Sequence, residues 1–296
     1  MNRSELPKRL VSRRARDRLG EALFSRVAGP SGAQNRARIH GAPGPRWFAP
    51  DEPIRRVHGD ASMFVGGLSA LLLQSLHPLA MAAVAAHSGY RGDPWGRLQR
   101  TSTFLAVTTY GTAEDAQRAV DGVRAVHAGV RGRTPDGEPY RADDPHLLEW
   151  VHIAEVDSFL RAYQQYGSQH LEEAECDAYV AAAARVGRSL GVVRPPCGAA
   201  ELAERIEAYR PELRSTEAAR SAARFILLQP PLPWPARLPY AMLATAAVSL
   251  LPPWAREPLG LPLMPRTERW CARPAGRAIT GTIRWAMSRP PPPGNG

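Results

Sequence analysis

Residues 68–130 read LSALLLQSLHPLAMAAVAAHSGYRGDPWGRLQRTSTFLAVTTYGTAEDAQRAVDGVRAVHAGV. Apolar residues recur here at helical spacing over three successive segments, and almost nothing alternates with the period of two that a half-buried strand requires. Set into these segments are His77, His87 and His127 and the compact group Arg97, Arg100 and Thr101. Side chains that ligate or hydrogen-bond thus sit inside stretches that otherwise read as buried helix.

Working outward, the same patterning covers residues 54–70, 71–87, 97–109, 113–130, 144–166 and 172–190, then 199–209, 212–228 and 240–251. Thr112, followed three positions later by Asp115, and Asp144 supply helix-start signals. Gly111 and Gly191 stand where helices stop. Pro78 removes a helical N–H and should bend its segment. The chain is therefore expected to be all-α, a single helical bundle with extra helices at both ends. Residues 1–50 divide into a basic helical arm and a Gly/Pro-rich connector from residue 28 onward. The helical domain occupies 51–285, and 286–296 is a disordered Pro-rich tail. A turn-rich stretch at 129–143 can form a short hairpin around Asp136-Gly137.

Composition narrows the classes. The 296 residues are 44% hydrophobic and 22% charged, ordinary for a globular protein, with a formal charge of +10. Lys8 is the one lysine among 38 basic residues, and the arginines are spread along the chain without a nucleic-acid motif, so a nucleic-acid partner is not expected. Cys176, Cys197 and Cys271 form no CxxC pair, which gives neither a disulfide framework nor a thiolate site. The basic N-terminus lacks the apolar run and cleavage site of a secretory signal, which points to the cytoplasm. The N-terminal helix can pack on the domain or lie on an anionic membrane surface; packing is preferred. No HExxH, P-loop, GxGxxG or GxSxG occurs, against zinc-protease, nucleotide and hydrolase chemistry.

Val120, Val123, His127 and Val130 fall at i, i+3, i+7 and i+10, so the His127 imidazole projects from an apolar helix face. A buried neutral imidazole is a good iron or zinc ligand; it is also a common hydrogen-bonded core residue, and periodicity leaves both open. His77 faces inward in the same way beside Pro78. Arg97, Arg100 and Thr101 share one helix side, where they can receive carboxylates or form a solvated face with Asp93 and Glu114 as counter-charges. His152 lies on a broad face with Leu148, Glu155, Phe159 and Tyr163 and reads first as core.

As a set, the runs LLLQSLHPLAMAAVAAHS, RLQRT, YGT, VRAVHAGVRG, DPHLLEWVHIAEVDSFLRAYQQYG and GRSLGV resemble the family of latex-clearing rubber oxygenases and the mycophenolic-acid-pathway oxygenase. The resemblance runs over residues 52–208. It implies a globin-like bundle binding noncovalent heme b and oxidative chemistry with O2 on a hydrophobic, isoprenoid-like small molecule. It also implies His127 as proximal iron ligand, with Arg97, Arg100 and Thr101 on the distal side and His77 as a neighbour of the heme. Where rubber-cleaving members carry a lysine, this chain has Arg100, which stays protonated and cannot ligate. Where they carry an upstream glutamate base, this chain has no acidic residue between Ala61 and Gly92. A heme-dependent oxygenase is the expectation; a non-catalytic heme-binding or heme-sensing protein and a peripheral membrane module are the alternatives.

Overall fold

The computed structural model describes residues 5–89 and 91–288; the first four residues of the basic arm and residues 289–296 of the tail lie outside it, as do the side chains of residues 5–13 and 15. The chain is all-α. The helices are α1 Glu5–Ala28, α2 Gly32–Gly41, α3 Pro53–Gly59, α4 Met63–Gln74, α5 Pro78–His87, α6 Pro94–Tyr110, α7 Ala113–Gly129, α8 Pro145–Tyr166, α9 Glu173–Leu190, α10 Ala199–Tyr209, α11 Glu217–Leu228, α12 Trp234–Leu250 and α13 Pro253–Arg256. The short α14 Pro265–Thr267 runs through one wide turn, Glu268–Ala272, into α15 Arg273–Met287. Strands β1 Arg131–Arg133 and β2 Pro139–Arg141 form the expected antiparallel hairpin, with Gly132 opposite Tyr140.

The centre of the molecule is α4 against α8. Helix α4 is apolar almost throughout and buries Val65, Leu72 and Leu73; a Cβ on its Gly66 would stand 2.9 Å from the Phe159 ring, so the glycine lets the two backbones approach. Trp150 of α8 is fully buried, and its indole N–H donates to the Gln74 carbonyl at 3.2 Å, which satisfies the one polar atom carried into the core. Around this pair, α3, α9 and α10 close one side through Ile54, Val57, Tyr179 and Leu202. Helices α12 and α15 close another, with Ile279 and Ile283 on the inner stripe of α15.

Three expectations need correction. The connector is not wholly extended: α2 forms within it, and the chain beyond is tacked to the α6–α7 turn, where Ala113 N–H donates to the Pro45 carbonyl at 2.7 Å. Residues 54–70 and 71–87 are not two helices meeting near residue 70. The chain breaks at Asp60–Ser62, where the Asp60 carboxylate accepts from the Ser62 N–H at 2.8 Å. It breaks again at Ser75–His77, because Pro78 can begin a helix but not continue one. The pair α4 and α5 is consequently bent by 109°, and among the described residues no single helix is long and apolar enough to cross a membrane. Finally, the helix expected at 240–251 begins earlier, at Trp234, and a further helix, α15, runs from Arg273 to Met287. The second half of α1 packs on α6 and α15: Ser102 donates to the Val27 carbonyl at 2.8 Å, and Arg26 stacks over Trp95.

Candidate functional site

Helices α6 and α7 are joined by the two-residue turn Gly111-Thr112 and pack on each other. Thr112 caps α7 by accepting from the Asp115 N–H at 3.1 Å, and Gly111 ends α6, as the sequence predicts. At a helical rise of about 1.5 Å per residue, Arg97 and His127 each lie roughly 21 to 23 Å along their helices from this turn. Both therefore stand far from that turn, Arg97 in the first turn of α6 and His127 in the last turn of α7. His127 is half-buried, and its Nδ1 is buried without a hydrogen-bond partner. Burial lowers its pKa, partly offset by the Asp143 carboxylate, so the neutral ring is favoured.

The start of α6 is held by the end of α5: Arg97 donates from Nη1 to the Ser88 hydroxyl at 2.8 Å. His87 Nε2 lies 3.2 Å from the Tyr140 hydroxyl, and Tyr140 packs with Ala83, Leu147 and Val130 beneath the hairpin. Arg100 and Thr101 are exposed, and Arg100 pairs with Asp93 at 3.4 Å, both well solvated. Asp93 also accepts from the Gly96 N–H at the first turn of α6. The three residues thus differ in setting although they share a helix side: Arg97 turns toward α5, and the other two face outward.

A set of desolvated ionisable groups lies on α8 and α3. Leu148, His152, Glu155 and Phe159 form one stripe of α8 directed at α9 and α3. Leu148 meets Gly191 and the His152 ring rests on Gly187, so α9 offers small residues where α8 brings large ones. Burial pushes His152 down to about 4, with Arg188 adding to the shift, and its Nε2 is buried and unpartnered. Burial likewise pushes Glu155 up to about 7 and His58, on α3, down to about 4. All three nonetheless keep some accessible surface. His58 Nδ1 lies 2.8 Å from the Thr109 hydroxyl of α6, and its ring meets Phe159 and Tyr179 edge-on. The Tyr179 hydroxyl is held well above its usual range by burial, then by the charges of Glu155 and Asp157. Arg124 of α7 reaches the Ser189 carbonyl at 3.4 Å, which brings the last turns of α7 and α9 together. Glu155 is the residue that sequence reasoning passed over: its one signal was a carboxylate on an otherwise apolar stripe.

His77 occupies a different cluster. Its side chain is buried, its ring meets those of His146, Trp150 and Tyr209, and its Nε2 lies 3.6 Å from a Glu212 carboxylate oxygen.

Residues 55–285 match the family described as ER-bound oxygenase mpaB/B'/Rubber oxygenase, catalytic domain. The chain belongs to this family. As a member of the mpaB/rubber oxygenase family it carries an oxygenase catalytic domain, within which α3 to α15 and both clusters described above fall. It is also similar to two uncharacterised proteins, one of Mycobacterium bovis and one of Mycobacterium tuberculosis. Each is 35% identical over 100 residues, which span 33% of this chain and 38% of the relative. No solved structure matches it.

Proposed function

We propose that this oxygenase domain binds heme b and uses O2 to oxidise a hydrophobic small molecule, isoprenoid-like in character. The observation that carries the reading is His127: a desolvated imidazole kept neutral, with a buried unpartnered nitrogen, in the last turn of α7. A neutral imidazole is the form that ligates iron, and an unpaired buried nitrogen is costly unless something occupies it. The residues present fit the group. His127 would hold the iron; Arg97, positioned by Ser88, would face the propionates with Arg100 and Thr101 toward the solvent edge. Heme, when bound, supplies the activation of O2.

The chain's own residues do the rest. The apolar side chains Phe104, Leu105 and Phe159 belong to or pack on one core cluster, where they would exclude water and receive an apolar substrate. Glu155, poised near neutrality, takes up or releases a proton at its carboxyl oxygen, the task for which the upstream position of rubber-cleaving relatives offers no acidic residue here. His152 and His58, both neutral at physiological pH, add no competing positive charge to that wall.

Reconstitution with hemin tests the cofactor. The wild type should develop a Soret band that His127→Ala loses while its far-UV circular dichroism is unchanged. A wild-type protein with no Soret band after reconstitution would overturn the proposal. Oxygen uptake coupled to loss of an added terpenoid then separates turnover from mere heme binding, and Glu155→Gln should slow that uptake without altering the Soret band.

A further inference from the structure

A second group of potential ligands lies apart from His127, where α5 and α8 begin. His77 ends the break before α5 with an extended backbone, φ −82° and ψ 115°, because Pro78 follows it. His146 is the second residue of α8, and Glu212 sits in the single tight turn Arg210–Glu212 that follows α10. These segments are far apart in sequence and are brought together by the fold: Arg214 N–H donates to the Leu76 carbonyl at 2.9 Å, which lays the Glu212 turn against the His77 segment.

The donor atoms converge. Glu212 Oε2 lies 2.7 Å from His146 Nε2 and 3.6 Å from His77 Nε2, and all three ligand atoms fall within 4.8 Å of one another. Donors on a tetrahedral zinc, each about 2.0 to 2.1 Å from the metal, stand about 3.3 Å apart, so the observed separations bracket the liganded ones and small side-chain rotations suffice. The independent observation is His77 itself. Its side chain is only 3% exposed, it points at Glu212, and neither ring nitrogen has a hydrogen-bond partner. A buried imidazole left so is expensive.

The outer groups are also those of a metal site. His146 Nδ1 lies 3.1 Å from the Tyr209 hydroxyl, which in turn donates to Glu149 at 3.1 Å. With Nε2 on a metal, the Nδ1–H would donate to that hydroxyl and fix the tautomer, the usual support for a ligating histidine. His146 and Glu212 are about half exposed, at 51% and 45%, so an ion has access and a fourth position opens to water.

We propose that His77, His146 and Glu212 bind one divalent transition-metal ion, best matched by zinc. Two imidazoles and a carboxylate are a borderline-soft nitrogen and oxygen set that favours zinc over magnesium or calcium. The ion clamps the starts of α5 and α8 to the turn after α10, and it is separate from any heme iron on His127.

The test is metal loading of the full chain after removal of metals with EDTA. With added zinc, elemental analysis should give one zinc per chain, independent of iron measured in the same digest, and zinc should raise the melting temperature. Glu212→Gln and His146→Gln, changes at half-exposed positions that the fold tolerates, should each weaken zinc binding by at least about tenfold and abolish the thermal shift. His77→Gln should do the same. Zinc bound as tightly by Glu212→Gln and His146→Gln as by the wild type, or no zinc retained by the wild type, would overturn the proposal. Neither result depends on whether hemin binds, so this inference and the heme reading fail separately.

Discussion

The imidazole of His152 lies directly on Gly187, such that a Cβ on the glycine would stand 2.9 to 3.1 Å from three atoms of the ring. This contact sets how closely α8 and α9 approach along the wall that carries Glu155.

Gly187→Ala should therefore destabilise the protein. Alanine is intrinsically better in a helix by about 0.5 to 1 kcal/mol, but forcing the ring aside in a packed interface costs about 1 to 3 kcal/mol. Overpacking wins because Nε2, one of the three ring atoms the methyl would meet, is itself buried. A net loss of about 1 to 2 kcal/mol is expected in urea unfolding. Combining Gly187→Ala with His152→Ala should recover part of it, a coupling that a double-mutant cycle measures directly.

This contact also marks the limit of what the sequence discloses. The α6–α7 turn is legible from Thr112, Asp115 and Gly111, and the inward face of α7 from the spacing of Val120 and His127, because caps and periodicity are local. The setting of Glu155 is not local. Glu155 becomes unusual only when the small residues of α9 and the Tyr179 ring are brought against it, and nothing in its own segment encodes that desolvation. Helix α2 was hidden for a different reason: the Gly/Pro content of its flanks masks a ten-residue run of helix-compatible side chains. Likewise the pairing of Arg100 with Asp93 follows from near neighbours, whereas the meeting of His77 with Glu212 needs the whole chain.

Stability should peak near pH 6.5. His58 and His152 titrate near 4 in the folded state and near 6.5 when unfolded, so the unfolded chain binds more protons between these values and stability rises with pH across that window. Each contributes on the order of 3 kcal/mol over the full window. Glu155 acts oppositely. Its folded pKa is about 7 against 4.5 for the free side chain, so its protonated form stabilises the fold at low pH and that contribution is lost as pH rises through 7. Burial shifts Asp157 in the same direction as Glu155, against the pull of Arg161. His77 and His127, both lowered, side with the other histidines. Urea midpoints measured between pH 4 and 8 should rise to about 6.5 and then decline slightly. Glu155→Gln should remove the decline; a wild-type curve still rising at pH 8 would contradict the assignment.

Arg284→Met should cost about 2 to 3 kcal/mol. Arg284 donates to both Asp60 oxygens, at 2.9 and 2.8 Å, and to the Tyr166 carbonyl at 2.9 Å, tying α15 to the break between α3 and α4. Removing one partner of a fully buried pair costs about 3 to 5 kcal/mol; the value here is smaller because Arg284 keeps 34% of its side chain exposed, whereas Asp60 keeps 5%. Burial alone would raise the Asp60 pKa, but the hydrogen bonds from Arg284 and Ser62 carry it below its usual value. Its contribution is thus present above the unfolded pKa and lost as pH falls through the folded one. Thermal unfolding at pH 7 should show the loss in Arg284→Met, and the gap between variant and wild type should shrink toward pH 2 to 3.

Two polar links of 2.8 Å tie α3 to α6, the Tyr110 hydroxyl to the Arg55 carbonyl and His58 Nδ1 to the Thr109 hydroxyl, and Thr109 is 2% exposed. Thr109→Val keeps the shape and deletes the only group able to satisfy that nitrogen in either tautomer, so a buried imidazole nitrogen is left unpaired at a cost of about 1 to 3 kcal/mol. Thr109→Ser retains the hydroxyl and forfeits one methyl, a smaller loss of about 1 kcal/mol. The order wild type, Ser, Val in chemical-denaturation stability is the expected result at pH 7. At pH 4, where the His58 ring is close to its folded pKa and the charged form needs the acceptor more, the separation between Ser and Val should widen. Equal stability of the two variants at both pH values would show that the hydrogen bond contributes nothing and that packing alone holds α3 to α6.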